Sequence, residues 1–437
     1  MSINYPLAAG ATVDVMVYAD VSSSMTSGTG ITTVDIDGTT ASSAVTSDSS
    51  AVTGQTLTYS SGAFTTAFDG TPQNQLASGN QSVLAGRFKL TSSYRDYTVK
   101  EMRFTVNSNS IVISSATLKD ATTGAILATQ SVASGGDFRF TGLSVLVPAS
   151  TSKRVDLYYN LIASPSATDA SWNLDTKAIL TYVKRADSDG TETITDPPTA
   201  ASNTANSTIV YRSVPVLAKV ALTSSNIING AAMDLYKFTV TAPAAGPVHM
   251  KQFKLNVNWS EAGTADALEL ESLKLFENGV DITSTVSIAD EDLGDTDGAE
   301  GTSGVVETSS KIIVTWDGDT EESTTSAGST STYTLRGTPQ GFNVAGASDT
   351  VKDGVSLQFV PDTAAQTSGY NFINQGTALT TIEKLYSSST ANASAEDANL
   401  IWSDESAVAH SPDDDDSTKD WSNSYLFTTV DSQAWSY

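Results

Sequence analysis

The chain has 437 residues, 39% of them hydrophobic, and carries 23 Lys and Arg against 49 Asp and Glu for a net charge of −26, with no cysteine. That length exceeds one β-sandwich and suits two to four domains. The charge disfavours nucleic acid and anionic membranes as partners, and the lack of cysteine excludes disulfides, thiol nucleophiles and thiolate-held zinc or iron–sulfur sites.

Ser and Thr are abundant, and Val, Ile and Leu sit between them in short islands. That pattern predicts many short strands joined by polar turns. Met1-Ser2-Ile3-Asn4-Tyr5 has neither the basic nor the apolar part of a signal peptide, and no window approaches the roughly 18 apolar residues of a membrane span. Residues 7–10 read as a turn, and an alternating strand follows from Val13 through Val15 and Val17. The same plan returns at Val147-Pro148-Ala149-Ser150-Thr151 with its strand to Tyr159, and at Ser326-Ala327-Gly328-Ser329-Thr330 with its strand to Leu335.

The segment 1–54 is therefore expected to be a partial β-sandwich with the later half of a repeat and no earlier half. Its missing strands would come from a longer chain, from later parts of this chain, or from a neighbouring subunit by strand donation.

The unit 55–204 reads as a complete Ig-like β-sandwich of seven to nine strands, with candidates at 56–59, 82–90, 97–106, 111–119, 125–131, 138–147, 153–161, 171–184 and 191–194. Asp187-Ser188-Asp189-Gly190 is a hairpin turn, and Asp196-Pro197-Pro198 through Asn203 reads as a linker.

The unit 205–437 reads as a larger Ig-like β-sandwich. Its Val248–Leu255 stretch repeats the alternating Tyr97–Val106 stretch, placing Val248 over Val99, Phe253 over Phe104 and Leu255 over Val106. Phe238 falls over Phe88, and Leu275 over Leu118. Insertions, notably 290–304, belong in surface loops. Trp402, Trp421 and Trp435 are expected to fill a core; the other reading is an aromatic surface for sugar or a partner subunit. The fold expected overall is all-β, with tandem Ig-like β-sandwich domains behind an incomplete N-terminal one.

The strongest ligand pattern is Asp290, Asp292, Asp295, Asp297 and Glu300, alternating in a Gly-containing loop. Calcium takes six to eight hard oxygens, and a flexible acidic loop supplies several. Weaker versions stand at Asp35 and Asp37, at Asp187 and Asp189, and at 317–322. Acidic hairpin turns look the same with no ion. A Ser-His-Asp triad would need one of the only two histidines, His249 or His410. His249 falls where the other copy has Lys100, which marks it as a tolerant surface position. No phosphate loop, HExxH or GxSxG motif occurs, and no carboxylate pair stands out for glycoside hydrolysis.

The Ser/Thr-rich, acidic, cysteine-free build, the repeated Ala-Gly-x-Thr turn before an alternating strand, and Trp402-Ser403-Asp404 with Asp420-Trp421 together resemble prokaryotic S-layer and surface-filament proteins. The resemblance implies a non-enzymatic extracellular protein at the cell surface. It would self-assemble with copies of itself into a layer or filament, with calcium stiffening its loops. Alternatives are an adhesin that binds cell-surface glycan and a β-sandwich polysaccharide hydrolase.

Overall fold

The structure is a computed structural model that describes residues 5–14, 16, 18, 27–34, 38–39, 44–45, 52–60, 62–107, 112–132, 136–162, 174–195, 200–261, 268–290, 311–316, 321–345, 351–363, 398–406, 410, 412 and 420–437. The described residues are almost entirely β, arranged as two sandwiches in tandem. One short helix, Ala200–Asn203, and a 3-10 turn, Thr283–Thr285, are the other regular elements among them.

In the first sandwich one sheet runs Ile126–Ser131, Ile113–Asp120, Ser152–Leu161, Ser82–Ser93, Ala63–Phe68. The other runs Asp137–Val147, Tyr97–Asn107, Leu174–Asp187, Thr208–Tyr211, Gln75–Ser78. In the second sandwich the first sheet repeats the same order with Val280–Asp281, Glu269–Glu277, Thr330–Gln340, Met233–Thr241 and Val216–Lys219. Its second sheet is built on the long strand Val248–Ser260. Lys311–Trp316 and Ser323–Thr325 pair along one edge of that strand, and Leu400–Ser403 and Gly354–Gln358 along the other.

The repeat read from the sequence is therefore a repeat of topology. It extends to the core: Phe88 and Phe104 meet with ring centroids 5.1 Å apart, and Phe238 and Phe253 meet at 5.2 Å. All four rings are buried, each contributing roughly 1.5–3 kcal/mol of transfer free energy.

The alternation is less regular than its letters suggest. Tyr97 and Val99 face the core, and so do Met102, Phe104 and Val106. In the other copy the core residues are Val248 and Met250, then Phe253, Leu255 and Val257. Each strand thus changes parity once, and the second copy carries a register shift between Met250 and Gln252 against Leu400–Ser403. A bulge of this kind re-aims the side chains beside it. Glu101, at the switch in the first copy, is buried and accepts hydrogen bonds from Arg103 Nε at 2.6 Å and Arg139 Nε at 2.7 Å.

The passage between sandwiches is made by a strand. Thr208–Tyr211, which lies beyond the expected 204/205 boundary, is bonded into the first sandwich and runs parallel to Gln75–Ser78. Residues 200–203 of the expected linker form the short helix. Directly after the strand, Val214 N donates to Ser78 Oγ at 2.9 Å and Arg212 N donates to Asp404 Oδ2 at 2.6 Å. At the N-terminal end, Ser27–Val34 and Val52–Ser60 form a separate antiparallel pair, and residues 53–58 are exposed on both faces.

Candidate functional site

Three places are candidates. The first is the N-terminal copy of the repeated turn. Gly10, Ser150 and Gly328 all adopt positive φ, at 79°, 56° and 72°. Each turn closes with the same bond: Ala11 N to Ala8 O at 3.0 Å, Thr151 N to Pro148 O at 3.2 Å, and Ser329 N to Ser326 O at 2.9 Å. After the second and third turns the chain becomes a central strand with a partner on each side. After the first, the described residues 11–14, 16 and 18 carry no strand, and Val13, Met16 and Tyr18 are exposed.

The second is the acidic loop. Asp290 ends the strand Val286–Asp290, its backbone opposite Ile312, and its side chain lies outside the described residues. Asp292, Asp295, Asp297 and Glu300 lie outside them entirely, as do Asp35 and Asp37. Asp187 and Asp189 are engaged by one guanidinium: Arg95 Nη1 is 2.9 Å from Asp187 Oδ2, and Nη2 reaches Asp189.

The third is a cluster with no sequence motif behind it. Ser323–Thr325, the start of Val248–Ser260, Leu400–Ser403 and Trp421–Ser422 lie side by side, with His249 opposite Thr324 on one edge and Ser403 on the other. This places Glu322, His249, His410 and Asp420 together at one end of the sheet. Glu322 Oε1 is 2.9 Å from His249 Nδ1, and Oε2 is 3.0 Å from His410 Nε2. The two imidazole centroids are 4.6 Å apart, and His410 also lies 5.1 Å from the Trp421 ring. One ligand atom from each of His249, Glu322 and His410 falls within 4.8 Å of the others. His410 Nδ1 is bonded to Asp420 Oδ2 at 2.8 Å, and Ser403 Oγ donates to that same oxygen at 2.9 Å. His249 Nε2 makes no hydrogen bond among the described residues and lies 3.9 Å from Glu405 Oε2.

Burial pushes the Glu322 carboxyl up, but hydrogen bonds from His249 and His410 outweigh it and hold it at about 2. Burial pulls His410 down, yet the bonds to Asp420 and Glu322 win and raise it to about 9. Asp420 is held below the carboxylate range: burial opposes this, and the His410 bond overcomes it. Burial lifts Asp404 to about 6.

His410, Asp420 and Ser403 share the residue types of a catalytic triad but not its geometry. In a triad the serine and the carboxylate sit on different ring nitrogens. Here both approach His410 Nδ1, Nε2 is committed to Glu322, and Ser403 is fully buried.

His249 is not the tolerant surface position its equivalence to Lys100 suggested. It is 6% exposed, because Glu322 bonds its ring and the His410 ring packs against it. Glu322 was visible only as part of an acidic run, and nothing in the sequence linked it to either histidine. Trp402, Trp421 and Trp435 are buried, as core filling requires, and form no exposed aromatic platform.

No protein-family model and no curated protein matches the chain. Among solved structures, a major pilin subunit of Bacillus cereus is similar at 10% identity and TM-score 0.19, over 60% of this chain and 64% of the pilin. A chaperone–tip adhesion subunit complex from the Csu pili of Acinetobacter baumannii is similar at 10% identity and TM-score 0.14, over 68% and 93%. A membrane-anchored protein from Corynebacterium diphtheriae is similar at 9% identity and TM-score 0.16, over 76% and 93%. At such TM-scores these likenesses carry no argument about the chain. No helix among the described residues is long and apolar enough to cross a membrane.

Proposed function

We propose that this chain is an extracellular structural protein that assembles with copies of itself into a cell-surface layer or filament. One observation carries the reading. A turn occurs three times with the same bond and a left-handed residue at the same position, and after two of the three the chain becomes a central strand of a sheet. The strand sequence after the first turn leaves Val13, Met16 and Tyr18 in solvent. By register, Val15 and Val17 correspond to the buried Val155 and Leu157, and to the buried Tyr333 and Leu335. A stretch built to be covered on both edges gains by pairing with further strands, and a neighbouring copy can supply them. The two-stranded pair Ser27–Val34 and Val52–Ser60 is also marginal by itself and gains from a further strand.

Self-association of a chain with net charge −26 needs cations as screen or bridge. Calcium at the 290–300 loop, through Asp290, Asp292, Asp295, Asp297 and Glu300, is the bridge in this reading. No catalytic step belongs to it.

Electron microscopy of the purified chain, with calcium and with chelator, tests the proposal. Ordered sheets or filaments are expected with calcium, loosened by chelation and lost in the Val15→Asp, Val17→Asp double variant. Persistent monomers at high concentration would overturn the structural reading. Assemblies unchanged in chelator would overturn the calcium part alone.

A further inference from the structure

We infer that His249, Glu322 and His410 form a binding site for a divalent transition-metal ion of the zinc class, with Asp420 as the carboxylate that orients His410. Its ligands are not those of the 290–300 sequence, and it takes a different kind of cation.

The donor set points to the metal. Two imidazole nitrogens and one carboxylate suit zinc and its neighbours, whereas calcium requires six to eight oxygens. Bond lengths of about 2.0–2.2 Å place tetrahedral ligand atoms about 3.3 Å from one another. The Glu322 oxygens lie 2.9 and 3.0 Å from the two ring nitrogens, and the whole set closes within 4.8 Å.

The surroundings point the same way. Metal-bound histidines characteristically give their other ring N–H to a carboxylate. His410 does so through Nδ1 to Asp420, which is itself buried and anchored by Ser403 Oγ. Nε2, on the other side of the ring, lies 3.0 Å from Glu322 Oε2. Negative charge is abundant nearby: Glu405 Oε2 lies 3.9 Å from His249 Nε2, and Asp404 is fully buried one residue earlier. Thr324 Oγ1 lies 3.2 Å from His249 Nδ1.

The three ligands come from segments far apart in the chain, separated by 73 residues between His249 and Glu322 and 88 between Glu322 and His410. A metal ion there would fasten an edge strand and the C-terminal region to the central strand of the second sandwich. The role is structural: closing such long loops removes entropy from the unfolded chain.

The test uses the full chain, freed of metal by chelation and titrated with Zn(II) and Co(II). One equivalent of zinc is expected, unmoved by a large excess of calcium. The Co(II) complex should show the intense visible bands of four- or five-coordination. His249→Ala and His410→Gln should each weaken zinc binding by at least a hundredfold, and Asp420→Asn by about ten- to a hundredfold. Near-UV circular dichroism checks that each variant is folded. The wild-type cobalt spectrum and calcium competition decide the matter even where a variant does not fold. Weak multi-site binding displaced by calcium, a six-coordinate cobalt spectrum, or zinc affinity retained in both folded histidine variants would each overturn the site and leave a proton shared between His410 and Glu322.

Discussion

The ring of Tyr211 packs against that of Trp402 at 5.0 Å, and its hydroxyl lies 2.8 Å from Ser422 Oγ. Tyr211 ends the last strand of the first sandwich, whereas Trp402 and Ser422 belong to the second. The contact is dry enough that burial raises the Tyr211 hydroxyl to about 12. The sandwiches are thus joined by a shared aromatic contact and by Arg212 N donating to Asp404. Tyr211 is half-buried, so Tyr211→Ala is expected to destabilise by about 2–3 kcal/mol, below the range for a fully buried aromatic removed to Ala. It should also split the calorimetric transition in two. Tyr211→Phe should cost only about 1 kcal/mol, for one hydrogen bond. A single unshifted transition in Tyr211→Ala would mean that the contact does not couple the domains.

The repeated turn makes unequal predictions at equivalent positions. Gly328 has φ +72°, and an added Cβ would meet no atom within 4 Å. Gly328→Ala therefore isolates backbone strain, expected at about 1–2 kcal/mol. Ser150 already bears that strain at φ 56°. Ser150→Gly relieves it but adds freedom to the unfolded chain, so the net change should lie within about 0.5–1 kcal/mol of zero. Denaturant midpoints of the two variants read the difference directly.

Much of this architecture is legible in short-range pattern. The strand Tyr97–Asn107, its counterpart Val248–Ser260 and the Phe88/Phe238 equivalence follow from period-2 spacing and recurrence, both local properties of a chain. The parity switch is not, because a bulge depends on what the partner strand does. The Ala63–Phe68 and Gln75–Ser78 strands are short, and Phe64, Phe68 and Leu76 are too few large apolar residues to set a period-2 pattern. The cluster at His249 was hidden for a different reason. Its members are strung over more than 160 positions, and only pairing of Val248–Ser260 with both Ser323–Thr325 and Leu400–Ser403 brings them together. Equivalence to Lys100 misled, since among the described residues the first sandwich has no counterpart of Leu400–Ser403 and His410 beside that position.

Asp404 should leave a mark on the pH dependence of stability. Its folded-state value of about 6 lies above the ordinary 3.8 because burial disfavours the charge, despite hydrogen bonds from Ser406 and Arg212 N. A raised carboxylate binds its proton more tightly in the folded protein. Its contribution is therefore fully present below about pH 4 and is lost as pH rises through 6. The difference amounts to about 3 kcal/mol between the two ends of that window. Asp404→Asn should flatten the stability profile between pH 4 and 6 relative to wild type. Urea midpoints at half-unit intervals measure this, and parallel profiles for the two proteins would contradict it.

The paired phenylalanines test whether the sandwiches are energetically as well as topologically repeated. Phe104 and Phe253 are fully buried, and each meets one ring from the opposite sheet at nearly the same distance. Phe104 also meets Phe140 at 5.9 Å, while Phe253 meets Trp316 at 6.1 Å. Removal to Ala leaves a ring-sized cavity in each case, at an expected cost of about 3–5 kcal/mol. The two sites lie in different cores, so their effects should add to within about 0.5 kcal/mol. Proteolysis should then discriminate them: Phe104→Ala should expose cleavage sites within 63–211, and Phe253→Ala within 216–437. Cleavage spread equally over both regions in each variant would show that one sandwich cannot hold its fold once the other is weakened.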